Sequence, residues 1–228
     1  MRILIALLFL FGCAYKTDFS DGKSFVGIRY INSPLGEGMA PDADPLMRFD
    51  AFDCTTFVET VLADGDIKKL TKIRYKNGKV DFINRNHFIE TDWLKNNSDI
   101  VENVSRDFGK TAIRTVVIDK QAWFKTVHNI DADFMPETVK LEYLPYKNLG
   151  DLELNKTYVV LFVADNPKIR DKIGTDIAIV HMGLLLPNGI LRHASSEQGN
   201  VVDVDFGEYI ARRQRNKTNI GIVILEIK

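Results

Sequence analysis

Asp176–Ser195 reads DIAIVHMGLLLPNGILRHAS. Ile177–Leu186 is apolar except for one histidine, stops at Pro187-Asn188-Gly189, and resumes as Ile190–Ser195. Two such runs around a turn signal predict an antiparallel hairpin. An apolar strand on both faces needs core on each side of its sheet. His181 lies inside that strand, where an imidazole must be hydrogen-bonded or chemically employed. Alternation predicts Ile177, Ile179 and Leu185 on its face, and Gly183 leaves room for another group to approach. If Pro187–Gly189 forms the loop, Leu186 opposes Ile190 and His181 opposes Ser195. His193 then shares the face of His181, about 7 Å away diagonally. If only Asn188-Gly189 loops, the parity changes and His193 faces the other way.

Outward from the hairpin, Tyr158–Ala164 and Ile220–Ile227 are further apolar or β-branched runs, and Phe206–Arg215 has the pattern of an amphipathic helix. Near the front of the chain, Phe57, Val58, Val61 and Leu62 recur at helical spacing after Asp53-Cys54. Asp53 is a candidate N-cap, while Thr56 and Glu59 form a competing capping box that would start the helix later. Either start leaves Cys54 at the helix mouth. Pro34, Pro41 and Pro45 with Gly36 and Gly38 mark the approach as a loop. Lys72–Tyr75 and Lys79–Ile83 around Lys76-Asn77-Gly78 suggest a second hairpin, and residues 84–110 are expected to be irregular with one short helix. A helix early and an antiparallel sheet late define an α+β class, the Cys54 helix packing on the sheet.

The chain has 228 residues, 45% of them hydrophobic, enough for one sizeable core. Lys plus Arg number 30 against 31 Asp plus Glu, with no basic block or basic–aromatic stripe, which gives a nucleic-acid partner little support. Residues 1–13, MRILIALLFLFGC, have one early Arg and then a run too short to span a bilayer, which needs about 20 residues. This describes an export signal. Leu10–Cys13 is similar to the lipobox of bacterial lipoproteins, in which Cys13 would be lipidated; a cleaved signal and a retained segment are the alternatives. Residues 14–24 read as a tether, and 25–228 as a single domain. Export implies the periplasm or cell envelope, with membrane attachment if Cys13 carries lipid.

The two cysteines are Cys13 and Cys54. With Cys13 lipidated or removed, Cys54 is a lone thiol in an oxidising compartment, a liability unless it is buried or chemically employed. Thiol hydrolysis needs an anionic sulfur, a base and a group that orients the base. A helix mouth stabilises the anion through its unpaired N–H groups and dipole. Of the four histidines, His181 fits the base and His193 the orienting group. His87 sits in a polar, aperiodic stretch that suits a surface or substrate-binding role. His128 falls in a helical pattern, and it and Trp123 are expected to be structural.

DCTTFVETVLA, VHMGLLL and LRHASS resemble, in order, the three signature segments of the NlpC-type, papain-like cell-wall hydrolases. That resemblance implies a papain-like fold with Cys54 as nucleophile, His181 as base, His193 as third residue and Asp53 lining the site. Thr55-Thr56 departs from the usual Ser-Gly pair; with RNHFIETDWLKNN it looks more like the amidase-like branch. The branch implies hydrolysis of the amide between the lactyl group of N-acetylmuramic acid and L-Ala, in peptidoglycan or muropeptides, without metal or cofactor. Arg85, Asn86, His87 and Asp92 are candidate polar contacts for substrate, and Trp93 a face on which a sugar could stack. Three alternatives stay open: a stem-peptide endopeptidase cutting between D-Glu and a diamino acid, a glycan-binding lipoprotein without catalysis, and a zinc protein using Cys54, His181 and His193, whose spacing fits no compact zinc motif. Oligomeric state is not fixed by the sequence.

Overall fold

A computed structural model describes residues 19–150 and 152–228. The export signal at 1–13, Cys13 with its lipidation, and residues 14–18 of the tether lie outside the described residues. The rest of that tether packs on the body: Phe19 stacks on Phe25 and Phe49 at ring distances of 5.1 and 5.6 Å.

The first half contributes β1 (Arg29–Tyr30), β2 (Ala51–Phe52), α1 (Cys54–Leu62), α2 (Ile67–Arg74), α3 (Leu94–Asn96), β3 (Val101–Asn103), β4 (Ala112–Ile118) and α4 (Lys120–His128). The second contributes β5 (Glu137–Pro145), β6 (Tyr158–Ala164), α5 (Ile169–Ile173), β7 (Ile179–Leu185), β8 (Ile190–Ser195), β9 (Asn200–Asp205), α6 (Phe206–Arg213) and β10 (Asn219–Ile227). Among the described residues the strands join one sheet in the order β2-β1-β9-β8-β7-β6-β10-β5-β4, with β3 also on β10. Among the described residues only the β1–β2 pair is parallel. The architecture is a mixed α and β fold dominated by an antiparallel sheet.

The sheet is covered on both faces, which is why its central strands are continuous apolar runs. In β6, Val159, Leu161 and Val163 join one core, while Val160 and Phe162 join the other. Phe57, Val58 and Val61 of α1 belong to the first; Phe206, Tyr209 and Ile210 of α6 belong to the second. The expected helices at Cys54 and Phe206 are thus on opposite sides of the sheet.

The second expected hairpin is absent. Asp66 caps a helix by accepting from the Lys68 and Lys69 N–H groups at 2.8 and 2.9 Å, and that helix, α2, consumes Lys72–Arg74. Leu70 and Ile73 are buried at helical spacing, which overrides the turn signal. Asn77 does turn the chain at φ 55°, but only one bridge, Tyr75 to Arg85, follows.

Candidate active site

Asp53 is the N-cap of α1 and Cys54 its first residue. One Asp53 oxygen accepts from the Thr56 N–H and hydroxyl, both at 2.8 Å, and Thr56 Oγ1 accepts the Asp53 N–H at 2.9 Å. This reciprocal box settles the helix start. The other Asp53 oxygen accepts from the Ser33 N–H at 3.0 Å. Both oxygens are therefore engaged in holding the helix mouth, and Asp53 does not present a free group to substrate. Glu59 bonds Arg74 at 2.8 Å and the Trp93 indole N–H at 3.1 Å, pinning α1 to α2 and to the middle segment.

The hairpin register is the three-residue one. Leu184 pairs with Arg192, Leu185 with Leu191, and the Leu186 N–H donates to the Ile190 carbonyl at 2.9 Å. His193 consequently shares the face of His181, and His181 Nε2 lies 2.8 Å from His193 Nδ1. Gly183 makes this possible, since a Cβ there would stand 2.9 Å from the His193 Cβ. The face expected for His181 needs one correction. β6 pairs Phe162 with His181 but Val163 with Ile179, so Val180 is an extra residue. That bulge places Ile179 in the opposite core, while Leu185 stays on the His181 side.

Burial and the charge of Asp53 push the Cys54 thiol up to about 11, against the Met182 backbone N–H and Thr55, which lower it. His181 is held well below the usual imidazole range by burial, then by His193 and Arg213. Burial and Arg212 lower His193 to about 4. The resting pair is a thiol and a neutral imidazole. For His181 Nδ1 to accept a proton, His181 Nε2–H must donate to His193 Nδ1, which sets both tautomers. His193 is covered by the Tyr209 ring, 5.0 Å away.

Cys54 and His181 line one cavity of about 250 Å³, together with Thr55, His87, Glu90 and Trp123. Its polar groups and the Cys54 side chain sit among apolar walls that include Ile179 and Met182.

The middle segment departs from expectation. Trp93 is fully buried and spends its N–H on Glu59, so no sugar can stack on it. Arg85 is tied to Glu37 at 2.6 and 2.8 Å and to Asp42 at 2.8 Å. Asp92 is paired with Lys120 and accepts from the Phe88 N–H. Asn86 is buried and donates to the Ile73 carbonyl at 2.8 Å, although it lines the cavity. His87 lines it too, with Nε2 2.7 Å from the Phe82 carbonyl and its pKa lowered to about 3 by burial. Arg85, Asn86, His87 and Asp92 also border a second cleft of about 460 Å³ that shares only Asn86 and His87 with the first.

Sequence reasoning missed four residues near Cys54 or the two histidines. Trp123 supplies an aromatic wall, its ring 4.8 Å from that of His87. Tyr30 is pushed up to about 12 by burial, then by Cys54 and Asp53. Tyr209 and Glu90 complete the set. Trp123 carried one usable signal, an aromatic on the one helix between β4 and β5. Among the described residues no group of three or more His, Cys, Asp or Glu is arranged to hold a metal.

Cys54 and His181 line one cavity, while the two imidazoles pack against Phe162 and Tyr209 on the α6 side of the sheet; a thiol and an imidazole are the group types that nucleophilic acyl chemistry uses. The chain belongs to the AmiA-like, N-acetylmuramoyl-L-alanine amidase-like family, which it matches over residues 20–220. A protein of Legionella pneumophila is 27% identical over 90% of this chain and 85% of its own, with a TM-score of 0.80. An N-acetylmuramoyl-L-alanine amidase of Bacteroides uniformis is 23% identical over 93% of this chain and 99% of its own, TM-score 0.68. A Bacteroides fragilis protein provisionally described as a xylanase has the same identity and TM-score over 90% and 98%. These last two likenesses carry the fold alone. No curated protein matches the chain.

Proposed function

We propose that the protein is a cysteine-dependent N-acetylmuramoyl-L-alanine amidase of the NlpC-type, papain-like superfamily, acting on peptidoglycan or muropeptides. One observation carries the reading: Cys54, at a capped helix mouth, shares a cavity with His181, whose far nitrogen is bonded to His193. Family membership supports the class of bond.

The Cys54 sulfur attacks the lactyl carbonyl while His181 Nδ1 takes the thiol proton. Collapse of the tetrahedral intermediate breaks the C–N bond, and His181 returns that proton to the departing L-Ala nitrogen, leaving a muramoyl thioester. Water then attacks the thioester carbonyl, giving a proton to His181; C–S cleavage releases the acid and the sulfur recovers the proton. The Cys54 backbone N–H, at the helix mouth, is the candidate donor to the oxyanion. With His181 neutral at rest, base and nucleophile are ready without a prior ion pair.

The protein acts in the cell envelope after export, anchored to the membrane if Cys13 is lipidated. Incubation with N-acetylmuramoyl-L-alanyl-D-isoglutamine and mass spectrometry of the products tests the reading. N-acetylmuramic acid and free dipeptide are expected, with turnover down by about 10³-fold or more in Cys54→Ala at unchanged circular dichroism. Retained turnover in that variant ends the mechanism. Cleavage only of longer stems, between D-Glu and the diamino acid, replaces the amidase with an endopeptidase. Binding without cleavage leaves a glycan-binding protein.

A further inference from the structure

Glu90 is not explained by the chemistry above. It lies in a π-helical turn, Ile89–Trp93, a distortion of the helical ladder that recurs at functional sites. It lines the Cys54 cavity and is 5% exposed. Its Oε1 accepts two short hydrogen bonds, from the Ala178 N–H at 2.6 Å and the Ile179 N–H at 2.7 Å. Its Oε2 is buried and has no partner.

This distribution is unusual for an anion. A buried carboxylate requires a cation or donors on both oxygens, yet the groups that act most strongly on Glu90 are backbone N–H groups and Asp92, none of them a cation. The same distribution suits a carboxylic acid, whose carbonyl oxygen accepts through two lone pairs while its hydroxyl is left as a donor. Burial pushes the carboxyl up, in the same direction, against the N–H bonds of Ile179 and Ala178. A buried donor without an acceptor, on a residue that lines a reactive cavity, calls for a partner that the chain itself does not supply.

We propose that Glu90 is a substrate-binding residue whose Oε2–H donates a hydrogen bond to an amide carbonyl of the bound molecule. The inference rests on the amidase reading for the identity of that molecule. Two carbonyl sources are available in a muropeptide, the sugar acetamido group and the peptide. The apolar walls, Phe88, Ile89, Ile177 and Met182 among them, suit the methyl group that accompanies either one. Glu90 also fixes the backbone immediately before the Val180 bulge, so a single side chain couples carbonyl binding to the strand that bears His181.

The test uses full-length protein with Cys54→Ala, which holds the ligand uncleaved, and calorimetric titration with N-acetylmuramoyl-L-alanyl-D-isoglutamine. Adding Glu90→Gln keeps an acceptor for the two N–H groups and a donor in place of Oε2–H, so the Kd is expected within about threefold. Adding Glu90→Leu removes the donor and is expected to weaken binding about tenfold, the equivalent of one hydrogen bond. In the de-N-acetylated ligand, disappearance of the Leu penalty assigns the acetamido carbonyl, and persistence assigns the peptide. Infrared difference spectra separate binding from mere backbone support: a carboxylic-acid band, absent in Glu90→Gln, is expected to shift on ligand addition. Absence of that band in the parent, a band unmoved by bound ligand, or equal losses in Gln and Leu overturns the proposal. Failure of the amidase reading shows separately, as intact muropeptide with the Cys54 enzyme.

Discussion

The β7–β8 hairpin and the Arg85–Trp93 segment both nominated functional residues by side-chain type, and the structure treats them oppositely. In the hairpin the nominated histidines meet at 2.8 Å. In the segment Arg85, Asp92 and Trp93 turn to internal partners. A strand's alternation fixes where each side chain points once the register is known. An aperiodic segment carries no such rule, and its polar residues are the ones that must satisfy buried backbone and charge. A polar residue in a loop thus predicts a hydrogen bond, without saying to what.

The sharpest way to break this contrast is a pair of variants. His193→Ala should leave the fold intact and lower kcat/KM by about 10²-fold, since His181 loses the group that sets its tautomer. Arg85→Met should do the reverse. It leaves Glu37 buried without its cation, a loss of about 3–5 kcal/mol for a broken buried pair, while the folded fraction retains its kcat/KM. Denaturant melts and steady-state kinetics on both proteins check the pair. A catalytic loss with unchanged stability in Arg85→Met would return that residue to substrate binding.

Much of the site was legible because its parts are periodic or capped. Asp53 was one of two candidate helix starts and the Pro187–Gly189 loop one of two hairpin registers, each decided by the structure, and Tyr158–Ala164 showed as a continuous apolar strand. The Val180 bulge was not legible, because nothing in IVHM marks an extra residue; only the pairing of Val163 with Ile179 reveals it. β4 and β5 were missed because Arg114, Thr115, Lys140 and Glu142 interrupt their apolar positions on a half-exposed pair. α2 was misread because Asn-Gly marks a turn without saying which element precedes it. Glu90 and Trp123 were hidden for a shared reason: their roles come from contacts across 88 residues of chain in one case and from the docking of α4 in the other.

The next test uses acid, which acts on both regions through their buried histidines. His193 of the hairpin is lowered to about 4 and His87 of the segment to about 3, both by burial first. Unfolded imidazoles titrate near 6.5. Above that value neither state takes up protons, and the folded protein keeps its full stability. As the pH falls below about 6.5 the unfolded chain binds protons that these two sites refuse, so stability declines down to the folded values, by up to about 1.4 kcal/mol per pH unit for each histidine. His87→Gln should flatten the fall in Tm between pH 7 and 4.5. An identical slope in that variant would mean that His87 takes up its proton in the folded state as readily as in the unfolded chain, and that burial does not hold it neutral.

The smallest effect separates the two tryptophans, one from each side of the contrast. Trp93→Phe keeps the buried ring volume but removes the N–H donated to Glu59. Glu59 retains Arg74, so the cost is about 1–3 kcal/mol of stability, and KM for a muropeptide should not change. Trp123→Ala removes a partly exposed wall of the Cys54 cavity, where an aromatic face contributes about 0.5–1.5 kcal/mol beyond its area. KM should rise roughly threefold to tenfold, the equivalent of that energy, with kcat nearly constant. If Trp93→Phe moved KM and Trp123→Ala did not, the substrate would have to approach from the second cleft, and the aperiodic segment would regain the role its residue types first suggested.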